Sequence, residues 1–323
     1  MQDRRAERLH RPVSLLGHGM WGLAGWKDTD DAEVERALDA SVASGVTFFD
    51  TAFAYGDGRS ERTLGRLARR HPGAHLYMAS KIPPKNRTWP APATATLDEC
   101  FPADYILEMT ERTLENLGVP CLDLQQFHVW QDAWAGDERW QRAVEDLKRQ
   151  GLVRSIGISL NRWEPWNGLA ALRTGRIDAV QVVYNVFDQA PEDQLFPLCA
   201  ELGVAVIARV PFDEGSLAGQ LTRDREFREG DFRHTYFNAE NRAATMDRIE
   251  RLEADLPAGM TLPELALRFI FANPDVTTVI PGMRRVASVE ANVRAEHAGA
   301  LPPTLVERLR AHRWDRKPAK RAD

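Results

Sequence analysis

Apolar residues along this chain recur in two alternating rhythms. Runs of β-branched, aromatic and aliphatic residues lie near residues 13–19, 46–51, 75–81, 122–128, 153–159, 179–185, 204–210 and 276–281, as expected of strands buried on both faces. Between them, apolar positions return at helical spacing, one stripe per stretch. The first such stretch runs from Asp31-Ala32-Glu33-Val34 and stops at Gly45. The second opens at Ser60-Glu61-Arg62-Thr63-Leu64, with a hydroxyl cap and an early acid. Tyr105 to Leu117 stops at Gly118, Trp140 to Lys148 stops at Gly151, and further helices are predicted over about 165–173, 194–202, 261–272 and 285–297.

A strand followed by a helix, repeated throughout, calls for a parallel sheet with crossover helices. Eight such units in 323 residues predict an α/β fold, a single (β/α)8 TIM barrel domain with its core at about 13–314. The competing doubly wound sheet needs a glycine-rich fingerprint after its first strand. Leu16-Gly17-His18-Gly19-Met20-Trp21-Gly22 has another spacing, and no crossover helix starts directly after it. The connection after the seventh strand, Pro211 to Thr261, is long and carries an extra predicted helix from Asn238 to Leu256. A C-terminal helix and tail follow the barrel. The link from Ile82 to Pro102 is also long, rich in Pro, Ala and Thr, and carries Trp89.

Composition narrows the classes of function. Charged residues make up 28% and hydrophobic ones 43%, a balance that suits a soluble chain with a sizeable core. A net charge of -5 gives no reason to expect nucleic acid or an anionic membrane as partner. The basic stretch Arg316-Lys317-Pro318-Ala319-Lys320-Arg321 reads as a solvated terminus. Cys100, Cys121 and Cys199 are odd in number and lack zinc or redox spacing. No apolar run approaches the roughly twenty residues that span a bilayer, and no signal-like apolar segment follows Met1. The expected location is cytoplasmic; the oligomeric state is not legible.

Chemistry gathers at the predicted strand ends, where barrels place their active sites. Val46-Thr47-Phe48-Phe49 runs into Asp50, and Tyr55 follows five positions later. Leu76 to Ser80 ends at Lys81, and Leu122 to Phe127 ends at His128. Tyrosine, with a pKa near 10, is a reluctant donor at neutral pH. A nearby Lys81 ammonium is expected to lower that value, with Asp50 holding the ammonium. His128 is placed to orient a carbonyl oxygen. Singly, each has a plain structural reading: Asp50 as a turn cap, Lys81 as a solvated lysine, Tyr55 as a rim aromatic, His128 as an interior histidine. Together, at successive strand ends, they suit carbonyl reduction. A metal-dependent barrel hydrolase would need several His and Asp ligands at strand ends; among the histidines only His128 qualifies, and no metal is expected.

Beyond these residues, the chain resembles the aldo-keto reductase family. The likeness runs through Gly45-Val46-Thr47-Phe48-Phe49-Asp50-Thr51-Ala52, Tyr55-Gly56 and Ser60-Glu61-Arg62-Thr63-Leu64-Gly65. It resumes at Ser80-Lys81, Leu122-Asp123-Leu124-Gln125-Gln126-Phe127-His128 and Gly151-Leu152-Val153-Arg154-Ser155-Ile156-Gly157-Ile158-Ser159. The resemblance implies a catalytic tetrad of Asp50, Tyr55, Lys81 and His128, with Tyr55 as general acid. It also implies a nicotinamide cofactor, NADPH/NADP+ rather than NADH, and a small-molecule carbonyl substrate, aldehyde or ketone. The alternative is a cofactor-binding redox sensor or regulatory subunit on the same barrel, with slow turnover.

By the same resemblance, Ser159, Asn161 and Gln181 are expected around the nicotinamide amide, and Gly19, Met20, Trp21 and Asp50 along the same groove. Asn185 shares a strand face with Gln181 and reads equally as a loop-capping amide. Val210, Pro211, Phe212, Gly215 and Leu217 belong to a segment resembling the family's pyrophosphate loop, whose glycines permit close approach and whose N–H groups suit phosphate oxygens. Arg209, where relatives carry a stacking aromatic, is expected to stack on the nicotinamide; an ion pair to Asp213 or Glu214 is the alternative. Gly282, Met283 and Arg284 open the last barrel helix, with Ser288 and Asn292 on it, and a helix N-terminus bearing arginines suits a phosphate. Arg284 is expected to read the 2′-phosphate. Trp21, Trp89, Trp130 and Trp134 are the expected substrate walls.

Overall fold

A computed structural model describes residues 1–23, 30–219, 221–229 and 231–316. The chain opens with an antiparallel pair, β1 (Asp3–Arg4) and β2 (Val13–Ser14). The barrel strands follow as β3 (His18–Gly19), β4 (Phe48–Asp50), β5 (Tyr77–Ile82), β6 (Leu122–Phe127), β7 (Val153–Ser159), β8 (Ala179–Val183), β9 (Ala205–Arg209) and β10 (Thr278–Val279). All eight lie parallel in sequence order. Parallel bridges Leu16↔Val279 and Gly19↔Gly282 join the last strand to the first. A Cβ at position 19 would lie 2.6 Å from the Ile280 carbonyl oxygen, so only glycine lets the two strands meet there.

The strand expected over 13–19 is thus two pieces. Ser14 breaks it: its hydroxyl donates to the Leu16 carbonyl at 2.7 Å and accepts from the Thr47 N–H at 2.9 Å. Such side-chain bonds offer the backbone an alternative to a continuous ladder.

Helices Asp31–Ala43, Arg59–Arg70, Ala103–Leu117, Glu138–Arg149, Leu169–Arg173, Leu195–Leu202, Leu262–Ala272 and Val286–His297 separate and follow the barrel strands. The long connection after β9 holds Phe232–Tyr236 and Ala239–Glu253, and Pro303–Arg310 follows the barrel. Period-two alternation divides the apolar residues between two cores. Leu9, Val13, Phe48, Tyr77, Ala79, Leu124, Ala179, Ala205, Ile207 and Ile280 fill the barrel interior. Outward-facing residues such as Phe49, Phe127, Ile156, Ile158 and Val180 pack under the helices.

The motif Ser60-Glu61-Arg62-Thr63-Leu64-Gly65 has a structural task. A Cβ at Gly65 would meet the Leu117 carbonyl oxygen at 2.2 Å, so two helices touch there backbone to backbone. Glu61, fully buried, accepts from Ser80 Oγ at 2.6 Å, Thr113 Oγ1 at 2.8 Å and Asn116 Nδ2 at 2.8 Å. Burial raises its pKa, and those three donors hold it in place between β5 and the helix Ala103–Leu117.

The basic terminus departs from expectation at its first residue. The Arg316 side chain is only 3% exposed and pairs with Asp213 at 2.7 Å and Asp188 at 3.6 Å, its guanidinium resting 4.2 Å from the centre of the Trp314 ring. Two buried carboxylates and an aromatic platform outweigh the hydration a solvated arginine would keep. The remaining basic residues, Lys317 to Arg321, lie outside the described residues.

Candidate active site

Asp50, Lys81 and His128 stand at or just past the C-terminal ends of β4, β5 and β6, and the turn after β4 brings Tyr55 back over them. Lys81 is fully buried. Its ammonium donates to Asp50 Oδ2 at 2.5 Å, to the Thr51 carbonyl at 2.8 Å and to Tyr55 Oη at 3.4 Å. An ammonium has three protons and no lone pair, so all three of its donors are engaged. Tyr55 Oη therefore accepts from Lys81, and its own proton is left to point elsewhere. His128 meets the Tyr55 ring edge-on, with centroids 5.7 Å apart, and the Trp89 ring in the same manner at 5.8 Å. The Nδ1 atom of His128 is buried without a partner.

Electrostatics assign a charge state to each group. Burial pushes the Lys81 pKa down, but the neighbouring Asp50 and Tyr55 outweigh it and the ammonium is held above its usual range. Burial, with Lys81 and Arg209 adding to it, drives His128 well below 6.5, so the imidazole is neutral. The Tyr55 expectation is corrected. Lys81 does pull its pKa down, yet burial and the Asp50 charge win, and the value lies above 10.0. Tyr55 is a neutral hydroxyl throughout the physiological range.

The upper layer of the barrel interior is polar. Gln181 Nε2 donates to Asp50 Oδ1 at 2.9 Å and to Gln126 Oε1 at 3.2 Å, and Gln126 Nε2 reaches Asp50 Oδ1 at 3.2 Å. Ser159 and Asn161 are buried beside it at the end of β7. Asn161 Nδ2 donates to Glu164 at 3.0 Å and to the Ala91 carbonyl at 3.3 Å, whereas its carbonyl oxygen is buried without a partner. Asn185 is the loop-capping amide: its Oδ1 accepts from the N–H groups of Phe187 at 2.9 Å and Asp188 at 3.0 Å.

Arg209 does not make the ion pair offered as its alternative. Glu214 pairs with Arg162 and Asp213 with Arg316. Arg209 instead donates to the Leu160 carbonyl at 3.1 Å, tying β9 to the loop after β7. Burial and the nearby Arg162 charge push its pKa down to about 10. In the glycine loop, Asp213, Gly215 and Leu217 direct their N–H groups to the carbonyls of Val210 and Phe212, so these three are already engaged. The Leu217 side chain lies in the core. Beside that loop, Arg162 Nη1, Trp163 Nε1 and Arg209 Nε are buried without partners. Such orphaned donors fit a multiply charged phosphate group. Arg162 and Trp163 escaped sequence reasoning; the signal available was Arg162 itself, three positions beyond a strand end.

At the last barrel helix, Arg284 and Arg285 are exposed. Burial, together with the charges of Arg233 and Arg285, lowers the Arg284 pKa, as expected where cations crowd. The Val286 N–H donates to Glu33 Oε1 at 3.1 Å, so a carboxylate from the first barrel helix caps this N-terminus. Met283 departs from the groove: fully buried, it packs with Ala37 and Val289. Met20 is likewise a core side chain, whereas Asn292 is buried and Ser288 half-buried on the same helix.

Two of the four tryptophans keep a place at the mouth. Trp89 is 40% exposed beside His128, and Trp21 is 47% exposed, edge-on to Phe232. Trp130 and Trp134 are corrected to core residues. They meet Phe101 and Trp140 edge-on and Phe127 at a tilt under the helices, and their indole N–H groups donate to Asp132 and the Ala95 carbonyl. Burying so much apolar ring area favours that aromatic cluster over the wet rim.

Comparison with known proteins agrees with the barrel fold. The model of the aldo/keto reductase family matches residues 15–313. The chain is 25% identical over 296 residues to an NADH-specific methylglyoxal reductase of Escherichia coli, covering 88% of this chain and 90% of that one. It is 28% identical over 297 residues to an NADP(+) aldo-keto reductase of Schizosaccharomyces pombe, covering 88% and 84%. Among solved structures, the holo form of an aldo-keto reductase from Bacillus halodurans superposes with a TM-score of 0.78 at 26% identity, covering both chains completely. The chain belongs to the aldo/keto reductase family, whose members are oxidoreductases that use nicotinamide cofactors.

Proposed function

We propose that this enzyme reduces aldehydes or ketones to alcohols, reversibly, with NADPH as the preferred cofactor. The observation that carries the reading is the threefold engagement of the Lys81 ammonium, which leaves the Tyr55 proton free for a substrate oxygen. A bound nicotinamide supplies the hydride. Tyr55 delivers the proton to the carbonyl oxygen, and Lys81 stabilises the phenolate that remains. Asp50 holds Lys81 in place and keeps it charged. Neutral His128 donates an N–H to the same oxygen, and Trp89 and Trp21 shield the carbonyl from water. In alcohol oxidation the Tyr55 oxygen takes the proton back.

Ser159, Asn161 and the Gln181 carbonyl would hold the carboxamide, and Arg209 would offer its planar guanidinium to the ring face. Arg162, Trp163 and the loop at Val210, Pro211, Phe212 and Gly215 would hold the pyrophosphate. Arg284, Ser288 and Asn292 would take the adenosine end. Mixing NADPH-loaded protein with a panel of aldehydes and ketones in a stopped-flow instrument tests the reading. Loss of nicotinamide absorbance is expected, and its absence with every carbonyl would leave the sensor alternative standing.

The rate of reduction should be flat between 6.5 and 10.0, the ordinary values of histidine and tyrosine. His128 is already neutral above its depressed value, so nothing changes as pH falls through 6.5. Tyr55 remains protonated until pH exceeds its raised value, and only there is the acid lost. A half-maximal point near neutrality in the wild-type pH–rate curve would contradict these assignments.

Coenzyme choice is expected to turn on two opposed charges. Arg284→Ala should weaken NADPH binding by about 10-fold and leave NADH unchanged, as a lost arginine–phosphate contact would. Glu33→Gln removes the carboxylate that a 2′-phosphate must displace from the Val286 N–H, and should tighten NADPH binding by about 3-fold. Fluorescence titration with each cofactor reads both; equal NADPH affinity in wild type and Arg284→Ala would remove Arg284 from the site.

A further inference from the structure

Asp50 is gripped at both oxygens, and only one grip belongs to the tetrad. Oδ2 receives the Lys81 ammonium at 2.5 Å. Oδ1 receives two amide donors, Gln181 Nε2 at 2.9 Å and Gln126 Nε2 at 3.2 Å. Asp50, Gln126 and Gln181 come from β4, β6 and β8, alternate strands of the barrel, which is how barrel interiors build their layers. Gln126 is fully buried. Its neighbour Gln125 faces the other way, donating to Thr110 Oγ1 at 3.3 Å, so alternation alone aims Gln126 inward.

Room for Gln126 has been made on the adjoining strand. Gly157 of β7 pairs in register with it, and a Cβ there would meet Gln126 Cγ at 2.9 Å and the Ala179 carbonyl oxygen at 3.0 Å. Any side chain at 157 would push the amide off Asp50. Gln126 Oε1 in turn receives Gln181 Nε2 at 3.2 Å, so the two amides orient one another.

We propose that Gln126 is a positioning residue for catalysis, acting through Asp50 on the Lys81–Tyr55 pair. Its amide draws charge towards Oδ1 and away from Oδ2. Lys81 is thereby shared between Asp50 and Tyr55 instead of being captured by the carboxylate. Without that donor, Asp50 would hold the ammonium more tightly, the phenolate would lose stabilisation, and Tyr55 would be a weaker acid. Gln181 does the same from the side where the nicotinamide is placed, so Gln126 is the member of the clamp without a cofactor contact. The inference rests on the reductase reading above.

Two substitutions test it. Gln126→Leu should lower kcat for carbonyl reduction by about 10-fold at every pH, as loss of one hydrogen bond to a charged group would, with the KM for NADPH unchanged within about twofold. Gln126→Glu places a second carboxyl against Asp50 Oδ1. Two carboxyls at this separation share one proton at low pH and lose it at a raised pH. The charged groups facing the pair are Lys81 on β5 and, farther off, Arg209 on β9; Tyr55 and His128 are neutral. At low pH the shared proton imitates the amide donor, so Gln126→Glu should work near the wild-type rate. As pH rises and that proton leaves, the doubled negative charge captures Lys81 and the rate should fall at least 10-fold, where wild type is flat.

A purely structural role for Gln126 would lower the rate without adding a titration. Parallel pH–rate curves for Gln126→Glu and wild type, or a kcat for Gln126→Leu within twofold of wild type, would overturn the inference alone. A wild type that fails to oxidise NADPH with every carbonyl tested would overturn the reductase reading and this inference with it.

Discussion

Tyr55→Phe is expected to slow carbonyl reduction by about 10³-fold, within the range that a positioned general acid contributes. The substitution removes one oxygen and little else. The ring keeps its edge-on contact with His128, and Lys81 keeps Asp50 and the Thr51 carbonyl after losing its longest bond, the one at 3.4 Å. Fold and cofactor binding should therefore survive, and NADPH titration should give an affinity within about twofold of wild type. Stopped-flow traces of nicotinamide absorbance then isolate the chemical step. Residual rate should come from His128, which still donates to the carbonyl oxygen but cannot replace the proton. A variant as fast as wild type would mean that the proton reaches the substrate by another route.

Lys81→Met carries the second large effect, on stability as well as rate. Lys81 and Asp50 form a buried pair, 0% and 3% exposed at their side chains. Removing the lysine leaves a carboxylate inside the barrel with two amides and no cation. Breaking a buried pair in this way costs about 3–5 kcal/mol, a large share of the roughly 5–15 kcal/mol that holds a typical domain folded. The double variant Asp50→Asn/Lys81→Met removes both charges and should recover most of that loss. Activity should not return, because no cation remains to stabilise the Tyr55 phenolate; both variants are expected to lose at least about 10²-fold in kcat. Urea unfolding of the four members of this cycle gives the coupling directly. Additive losses would show that the two charges do not depend on one another.

These two predictions differ in how far the sequence alone supports them. The four polar residues were legible because each ends or follows an apolar run, and strand alternation with barrel geometry sends strand-end side chains to one mouth. The sign of the Tyr55 shift was not legible. Lys81 was expected to dominate, and burial, which only the packed barrel supplies, outweighs it. Trp130 and Trp134 show the same limit from the apolar side: large rings just past a strand end suit either a pocket wall or a core cluster. The choice was made by Phe101 and Trp140, which the helices bring alongside. Arg316 looked like a solvated tail residue until Asp213 and Asp188 were beside it.

The chain by itself determined the alternation of strands and helices, the parallel barrel it demands, and the residue types delivered to its C-terminal mouth. Those follow from local periodicity, where a side chain's direction is set by its immediate neighbours. Tertiary structure decided which of these groups touch. Gln181 meets Asp50 across 131 residues, and Arg316 meets Asp213 across 103. The charge state of Tyr55, the clamp of Gln126 on Asp50 and the capping of Val286 by Glu33 all depend on such closures. Hydrogen bonds and burial act through space over a few ångströms, and barrel closure, not sequence proximity, sets those distances.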